Sequence, residues 1–129
     1  MRDNGKKIFN FQDLVAWQKA HQLMVDVYQF VDSLPREEKF NRTVQLKRAA
    51  SSLPANIAEG FGRYHYQENA QFCRQARGSL DEVKNHIIAA KDLAQAPTEE
   101  CLRLLAQCDE ARAILNGYIR ATLARKRDL

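Results

Sequence analysis

This sequence predicts an all-α fold, an antiparallel up-down-up-down four-helix bundle, on three observations. Four segments repeat small or apolar residues at alternating steps of three and four, the seam of a helix packed at a shallow angle against its neighbours. The breaks between them are short and carry Pro35, Gly62 and Pro97, and short connections make consecutive helices antiparallel neighbours. No stretch shows the alternation of a half-buried strand. A length of 129 residues suits one domain with one core. The mix of 45% hydrophobic and 28% charged residues, with 5 glycines and 3 prolines, excludes collagen-like, disordered and low-complexity chains.

The first helix is expected over residues 11–32, with Leu14, Trp17, His21, Met24, Tyr28 and Val31 on its seam. Asn10 is placed to cap it, Asp13 sits at the third helical position, and Phe9 can staple against Leu14. A further apolar row, Leu23, Val27, Phe30 and Leu34, is either a second interface or one side of a wide core-facing stripe. The second segment, 36–61, carries Thr43, Leu46, Ala50, Leu53, Ile57 and Gly60. Pro54 deletes the bond to the Ala50 carbonyl, which predicts a kink at Pro54 or two helices meeting near Ser51 and Ser52. Gly60 and Gly62 offer left-handed positions to end it. The third, 66–95, carries Cys73, Ala76, Leu80, Val83, Ile87, Ala90 and Ala94. After Pro97, Thr98 with Glu99 and Glu100 caps the fourth, 98–125, whose seam is Cys101, Leu104, Cys108, Ala111, Leu115, Tyr118 and Thr122. Residues 1–10 and 126–129 then read as basic tails on a bundle domain of residues 11–125.

Catalytic, metal and cofactor chemistry finds no support in the motifs. A di-iron carboxylate site needs two Glu-x-x-His elements, and the chain has none; Glu82 and His86, four apart, read as an exposed ion pair or a partly buried histidine. Cys101 and Cys108 share a helical face but stand ~10.5 Å apart along it, too far for one zinc or one disulfide. With Cys73 they read as small core residues. His21 beside Met24 reads as a core histidine next to a gap-filling methionine, since no C-x-x-C-H motif is present. Gly60-Phe61-Gly62 lacks the rest of a dinucleotide fingerprint, and there is no P-loop. The expectation is a protein without enzymatic activity or cofactor. Three cysteines without an export signal argue for the cytoplasm, and charges interrupt every apolar stretch before it reaches membrane-spanning length.

The net charge of +4 is unevenly spread. Residues 1–10, 36–63 and 120–129 carry +2, +3 and +3, whereas 11–35 and 64–119 carry −2 each. Arg36, Lys39, Arg42, Lys47, Arg63, Arg125, Lys126 and Arg127 are the candidate phosphate contacts, and Arg2, Lys6 and Lys7 can join the C-terminal cluster in an antiparallel bundle. Arg63-Tyr64-His65-Tyr66 interleaves a cation with rings, so Tyr64 and Tyr66 are candidate stacking groups for bases. Loop aromatics covering the end of a bundle explain the same residues.

Three stretches carry a family resemblance: Gln45 to Arg63, which contains Ser-Leu-Pro-Ala-Asn-Ile-Ala-Glu-Gly from Ser52 to Gly60; Ala-Arg-Gly-Ser-Leu-Asp-Glu from Ala76 to Glu82; and Phe11 to Ala20. They closely resemble the signature of the bacterial 23S rRNA intervening-sequence proteins, the four helix bundle protein family, from Phe11 to Leu123. The resemblance implies a small cytosolic bundle assembled as a homopentamer. It also implies kinship with accessory proteins of diversity-generating retroelements, which are basic, bind nucleic acid and partner a reverse transcriptase. The signature has a structural explanation too: Gly78 permits close helix approach, and Arg48, Asn56, Glu59, Arg77 and Glu82 form a polar network along helix or subunit seams. Two functions stay in view, an oligomer that binds RNA or DNA through basic surfaces with low sequence specificity, and a protein-interaction scaffold without nucleic-acid contact.

Overall fold

A computed structural model of the chain describes residues 2–3 and 5–125. Four helices, α1 (Val15–Phe30), α2 (Arg42–Phe61), α3 (Tyr66–Asp92) and α4 (Thr98–Arg125), form an all-α bundle. Each packs on its sequence neighbours, and α4 closes on α1. The bundle therefore has a proximal end, built from the N-terminal segment, the α2–α3 loop and the last turn of α4, and a distal end built from the α1–α2 and α3–α4 connections. No described helix is long and apolar enough to cross a membrane.

The N-terminal segment, expected as a tail, is a small hairpin. β1 (Arg2–Asp3) pairs antiparallel with β2 (Lys6–Lys7), and the turn between them includes Gly5 at a φ of 79°. Two-residue strands are too short to leave an alternation in the sequence. The hairpin is tied to the bundle at two points: Ile8 is buried, and the Asp3 carboxylate accepts the Val15 N–H at 2.6 Å. That bond satisfies an orphan donor and places a negative charge at the start of α1. Asn10 and Asp13 bracket a separate 3₁₀ turn, Phe11–Asp13, in which the Asp13 carboxylate accepts the Phe9 and Asn10 N–H groups at 2.9 and 3.2 Å. Phe9 does not staple to Leu14; it is 74% exposed.

The core seam of α1 differs from the expected one. Ala16, Ala20, Leu23, Val27 and Phe30 are buried, whereas Trp17, His21 and Met24 are only half-buried and Tyr28 is exposed. The two rows are offset by one residue, or about 100° of helix, and have the same spacing, so periodicity could not choose between them. Packing chooses the row whose first members are alanines, which let the backbone of α1 approach its neighbours. Leu14 and Val31 of the expected seam are buried beyond the two ends of α1. On α3 and α4 every expected seam residue is buried except Ala94. Ala94 instead takes a φ of 54° in the turn, where Gln95 donates its N–H to the Ala90 carbonyl at 2.8 Å.

Residues 36–41 do not belong to α2. Arg36–Glu38 make a 3₁₀ turn, and α2 starts at Arg42. From there the helix runs unbroken through the buried Pro54, so two helices do not meet at Ser51 and Ser52. Neither glycine near its end is left-handed. Gly62 has a φ of −76°, and Gly60 lies inside the helix because α3 comes so close. A Cβ there would stand 2.8 Å from Asn69 Oδ1 and 2.9 Å from both the Asn69 carbonyl oxygen and Phe72 Cβ. Gly78 faces open space within the protomer, with nothing within 4 Å of such a Cβ, so it does not serve close approach inside the bundle.

Candidate nucleic-acid interface

The antiparallel topology sorts the charges by end. The N-terminal segment up to Leu14, the α2–α3 loop and the six residues of each helix nearest the proximal end hold Arg2, Lys6, Lys7, Lys19, Arg63, Arg120 and Arg125. They hold only four carboxylates, Asp3, Asp13, Glu59 and Glu68, which leaves +3 among the described residues. Lys126 and Arg127 lie outside the described residues. Several of the cations sit against rings. Lys7 Nζ is 5.3 Å from the Phe9 centroid, the Arg63 guanidinium 4.7 Å from that of Phe72, and the Arg125 guanidinium 5.3 Å from that of Tyr66. A ring face holds a cation in place while leaving its N–H edges open to an anion. Arg63 also pairs with Glu59 at 3.2 Å.

Tyr64 and Tyr66, equivalent in sequence, are not equivalent in space. Tyr66 is half-buried beneath Arg125. Tyr64 is 92% exposed and meets the His65 ring edge to face, at 5.2 Å and 89°. Under this surface Asn69 donates to the Tyr118 hydroxyl at 3.1 Å, and burial raises the pKa of Tyr118 above the usual tyrosine value. A cleft of about 300 Å³ opens between the hairpin, α1 and α4, lined by Arg2, Asp3, Val15, Ala16, Ile114 and Tyr118 among others.

At the distal end the same count, within six residues of each helix end, gives Arg36, Lys39, Arg42, Lys47, Lys91 and Arg103. Against them stand Asp26, Asp32, Glu37, Glu38, Asp92, Glu99 and Glu100, for a net −1. Arg36 and Lys39 are exposed there, with Lys39 Nζ 5.4 Å from the Phe40 ring. Arg42 faces inward: Nε donates to Gln95 Oε1 at 2.9 Å, Nη1 donates to His86 Nδ1 at 2.9 Å, and Glu38 is 3.7 Å away. A guanidinium only donates, so His86 Nδ1 is the acceptor and the ring proton sits on Nε2. Burial, then the Arg42 charge, hold the pKa of His86 below the ordinary histidine value, with Glu82 pulling the other way. Lys47 lies along the body of the bundle, 5.4 Å from the Tyr28 ring.

Within one protomer the five residues expected to form a polar network along helix or subunit seams make separate contacts. Asn56 donates to Ser52 O and Oγ, both at 2.9 Å, and Ser79 Oγ reaches the same Ser52 Oγ at 3.0 Å. Arg77 donates to Asn116 at 2.9 Å on the other side of α3, and Glu59 pairs with Arg63. Arg48 and Glu82 are exposed and make no hydrogen bond or ion pair among the described residues. The three cysteines are buried and free. Burial pushes the thiols of Cys73 and Cys108 up to about 12 and raises that of Cys101, so none is a reactive thiolate at neutral pH. Among the described residues no three His, Cys, Asp or Glu side chains are grouped so as to hold a metal ion.

The family model for the 23S rRNA-intervening sequence protein matches residues 12–117. The chain belongs to this family. Comparison with curated proteins returns no match. The family match for this intervening-sequence protein covers the whole of α1, α2 and α3 and most of α4. It leaves out the hairpin and the last two turns of α4, which together hold five of the seven proximal cations. The match thus spans most of the bundle, and most of the proximal charge belongs to segments outside it.

Sequence reasoning missed Phe9 as an exposed ring beside Lys7, Asp3 as the anchor of the hairpin, and the inward turn of Arg42. The partners of Arg42, His86 and Gln95, lie more than 40 residues away in sequence, so no local pattern announces them.

Proposed function

We propose that this intervening-sequence protein is a non-enzymatic, homo-oligomeric bundle, five copies in the assembly, whose proximal end binds RNA or DNA with little sequence preference in the cytoplasm. The observation that carries this reading is the gathering of seven cations against four carboxylates at one end, several of them on aromatic faces. Arg63, Arg125 and the adjoining Lys126 and Arg127 neutralise phosphates, and Tyr64 offers a ring. Arg36, Lys39, Arg42 and Lys47 contribute less, since carboxylates offset them and Arg42 is committed to His86. Phosphate neutralisation makes such binding steeply salt-dependent and indifferent to sequence. In a pentamer the formal charge of +4 per chain becomes about +20, a far stronger field for a polyanion.

The half-buried row of Trp17, His21 and Met24, continued by the exposed Tyr28, supports self-association. It is a largely apolar stripe on α1 that the bundle covers only in part. The same stripe favours the second reading, a scaffold that docks another protein and never touches nucleic acid. Gel shifts at low salt with RNA and DNA probes test the first reading, and the absence of any binding would sink it. A protein partner retained after nuclease treatment would favour the second. Light scattering tests assembly, and a single 14.8 kDa protomer at micromolar concentration would contradict the oligomer.

A further inference from the structure

We infer that the proximal end is built for single-stranded rather than double-stranded nucleic acid, with Tyr64 and Phe9 as the rings on which bases stack; this rests on reading that end as the nucleic-acid surface. Tyr64 in the α2–α3 loop is 92% exposed and Phe9, just before the Phe11–Asp13 turn, is 74% exposed. Both occupy the end where the positive charge gathers. A large ring left this open forgoes the burial it would gain in a core, and here one such ring, Phe9, lies beside a cation while the other, Tyr64, directly follows one in the chain. Lys7 stands 5.3 Å from the Phe9 centroid, and Arg63 immediately precedes Tyr64.

The chemistry distinguishes the two kinds of strand. In a duplex each base is already stacked and paired, so an exposed phenol or phenyl face has nothing to receive, and only the cations gain. An unpaired strand presents bare base faces, and each stacked on a side-chain ring strengthens binding roughly 5- to 150-fold, whatever the base. Tyr66 cannot act in this way, because Arg125 covers its ring and the side chain is half-buried. The structure thus separates two tyrosines that the sequence offers as equals.

Fluorescence anisotropy with a labelled oligothymidylate and a duplex of the same length, in one low-salt buffer, tests the inference. The native chain binds the single strand more tightly. Tyr64→Ala and Phe9→Ala each weaken single-strand binding at least several-fold and leave duplex binding unchanged, while Tyr64→Trp retains it. Both side chains are exposed, so the variants keep the native melting temperature, and Arg125→Ala weakens both probes together. If both probes bind but Tyr64→Ala and Phe9→Ala change neither, or change both equally, the single-strand assignment is overturned and the basic surface stands. If the native protein binds neither probe, the nucleic-acid reading itself falls.

Discussion

The two ends of the bundle hold similar numbers of cations and have opposite net charge. Six basic residues at the distal end face seven acidic ones, whereas seven at the proximal end face four. The difference lies in where carboxylates fall and in what the cations touch. Distal Arg36 and Lys39 flank Glu37 and Glu38 in one 3₁₀ turn, and Arg42 is spent on Gln95 and His86 inside the fold. Proximal Lys7, Arg63 and Arg125 lie on rings, as distal Lys39 and Lys47 also do, so the carboxylates and the inward turn of Arg42 make the difference. A count of lysine and arginine along the chain therefore overstates the net positive charge of the distal segment and understates that of the proximal end.

The comparison can be broken most forcefully at the packing that holds the proximal end together. Gly60→Ala drives a methyl group into Asn69 and Phe72, against backbone as well as side chain. The expected cost is about 1–3 kcal/mol, the usual range for overpacking, seen as a lower denaturant midpoint with an unchanged m-value. Gly78→Ala meets open space and is expected to stabilise by about 0.5–1 kcal/mol through helix propensity. Equal effects at the two glycines would contradict the packing described for α2 and α3.

Next in size is the tie between the hairpin and α1. Asp3→Ala removes the carboxylate from the Val15 N–H; loss of such a cap costs about 1 kcal/mol. Hydrogen exchange should then quicken in residues 2–8 and the first turn of α1 while the distal end keeps its protection. Uniform loss of protection would mean that the hairpin is not an independent proximal element.

A pH titration sharpens the distal side of the comparison. His86 accepts a hydrogen bond from Arg42 only when neutral, and its pKa in the fold lies below the ordinary histidine value. The unfolded chain therefore binds more protons in that window, and stability rises with pH. The contribution is complete above the unfolded value near 6.5 and is lost as pH falls from there through the lower folded value. Denaturant melts between pH 5 and pH 8 check this, with His86→Gln expected to flatten the slope. A slope unchanged by that substitution would contradict the Arg42–His86 contact.

How much of this was legible in the sequence depends on whether one pattern competed with another. The seams of α3 and α4 were readable because a single row of Cys73, Ala76, Leu80, Val83 and Ile87, or of Cys101, Leu104, Cys108, Ala111 and Leu115, fits the bundle. On α1 two rows fit equally, and only the small Ala16 and Ala20 mark the one that packs. Gly60 reads locally as a helix stop, since its true role depends on α3 crossing beside it. The three basic segments were visible as runs of charge. That two of them meet at one end with Arg63, while Arg36 and Lys39 are offset by neighbouring carboxylates and Arg42 turns inward, needed the folded arrangement. Tyr64 and Tyr66 could not be separated without knowing that Arg125 lies on the latter.

The central claim, that the proximal end is the anion-binding surface and the distal end is not, is tested most directly by two triple variants titrated against one RNA probe over a series of salt concentrations. Arg63→Ala, Arg120→Ala and Arg125→Ala together are expected to lower affinity by more than tenfold and to reduce the salt slope by about 0.7–0.9 for each lost phosphate contact. Arg36→Ala, Lys39→Ala and Arg103→Ala together should leave both within about twofold of the native protein. Equal losses from the two triples, or a larger loss from the distal one, would contradict the account.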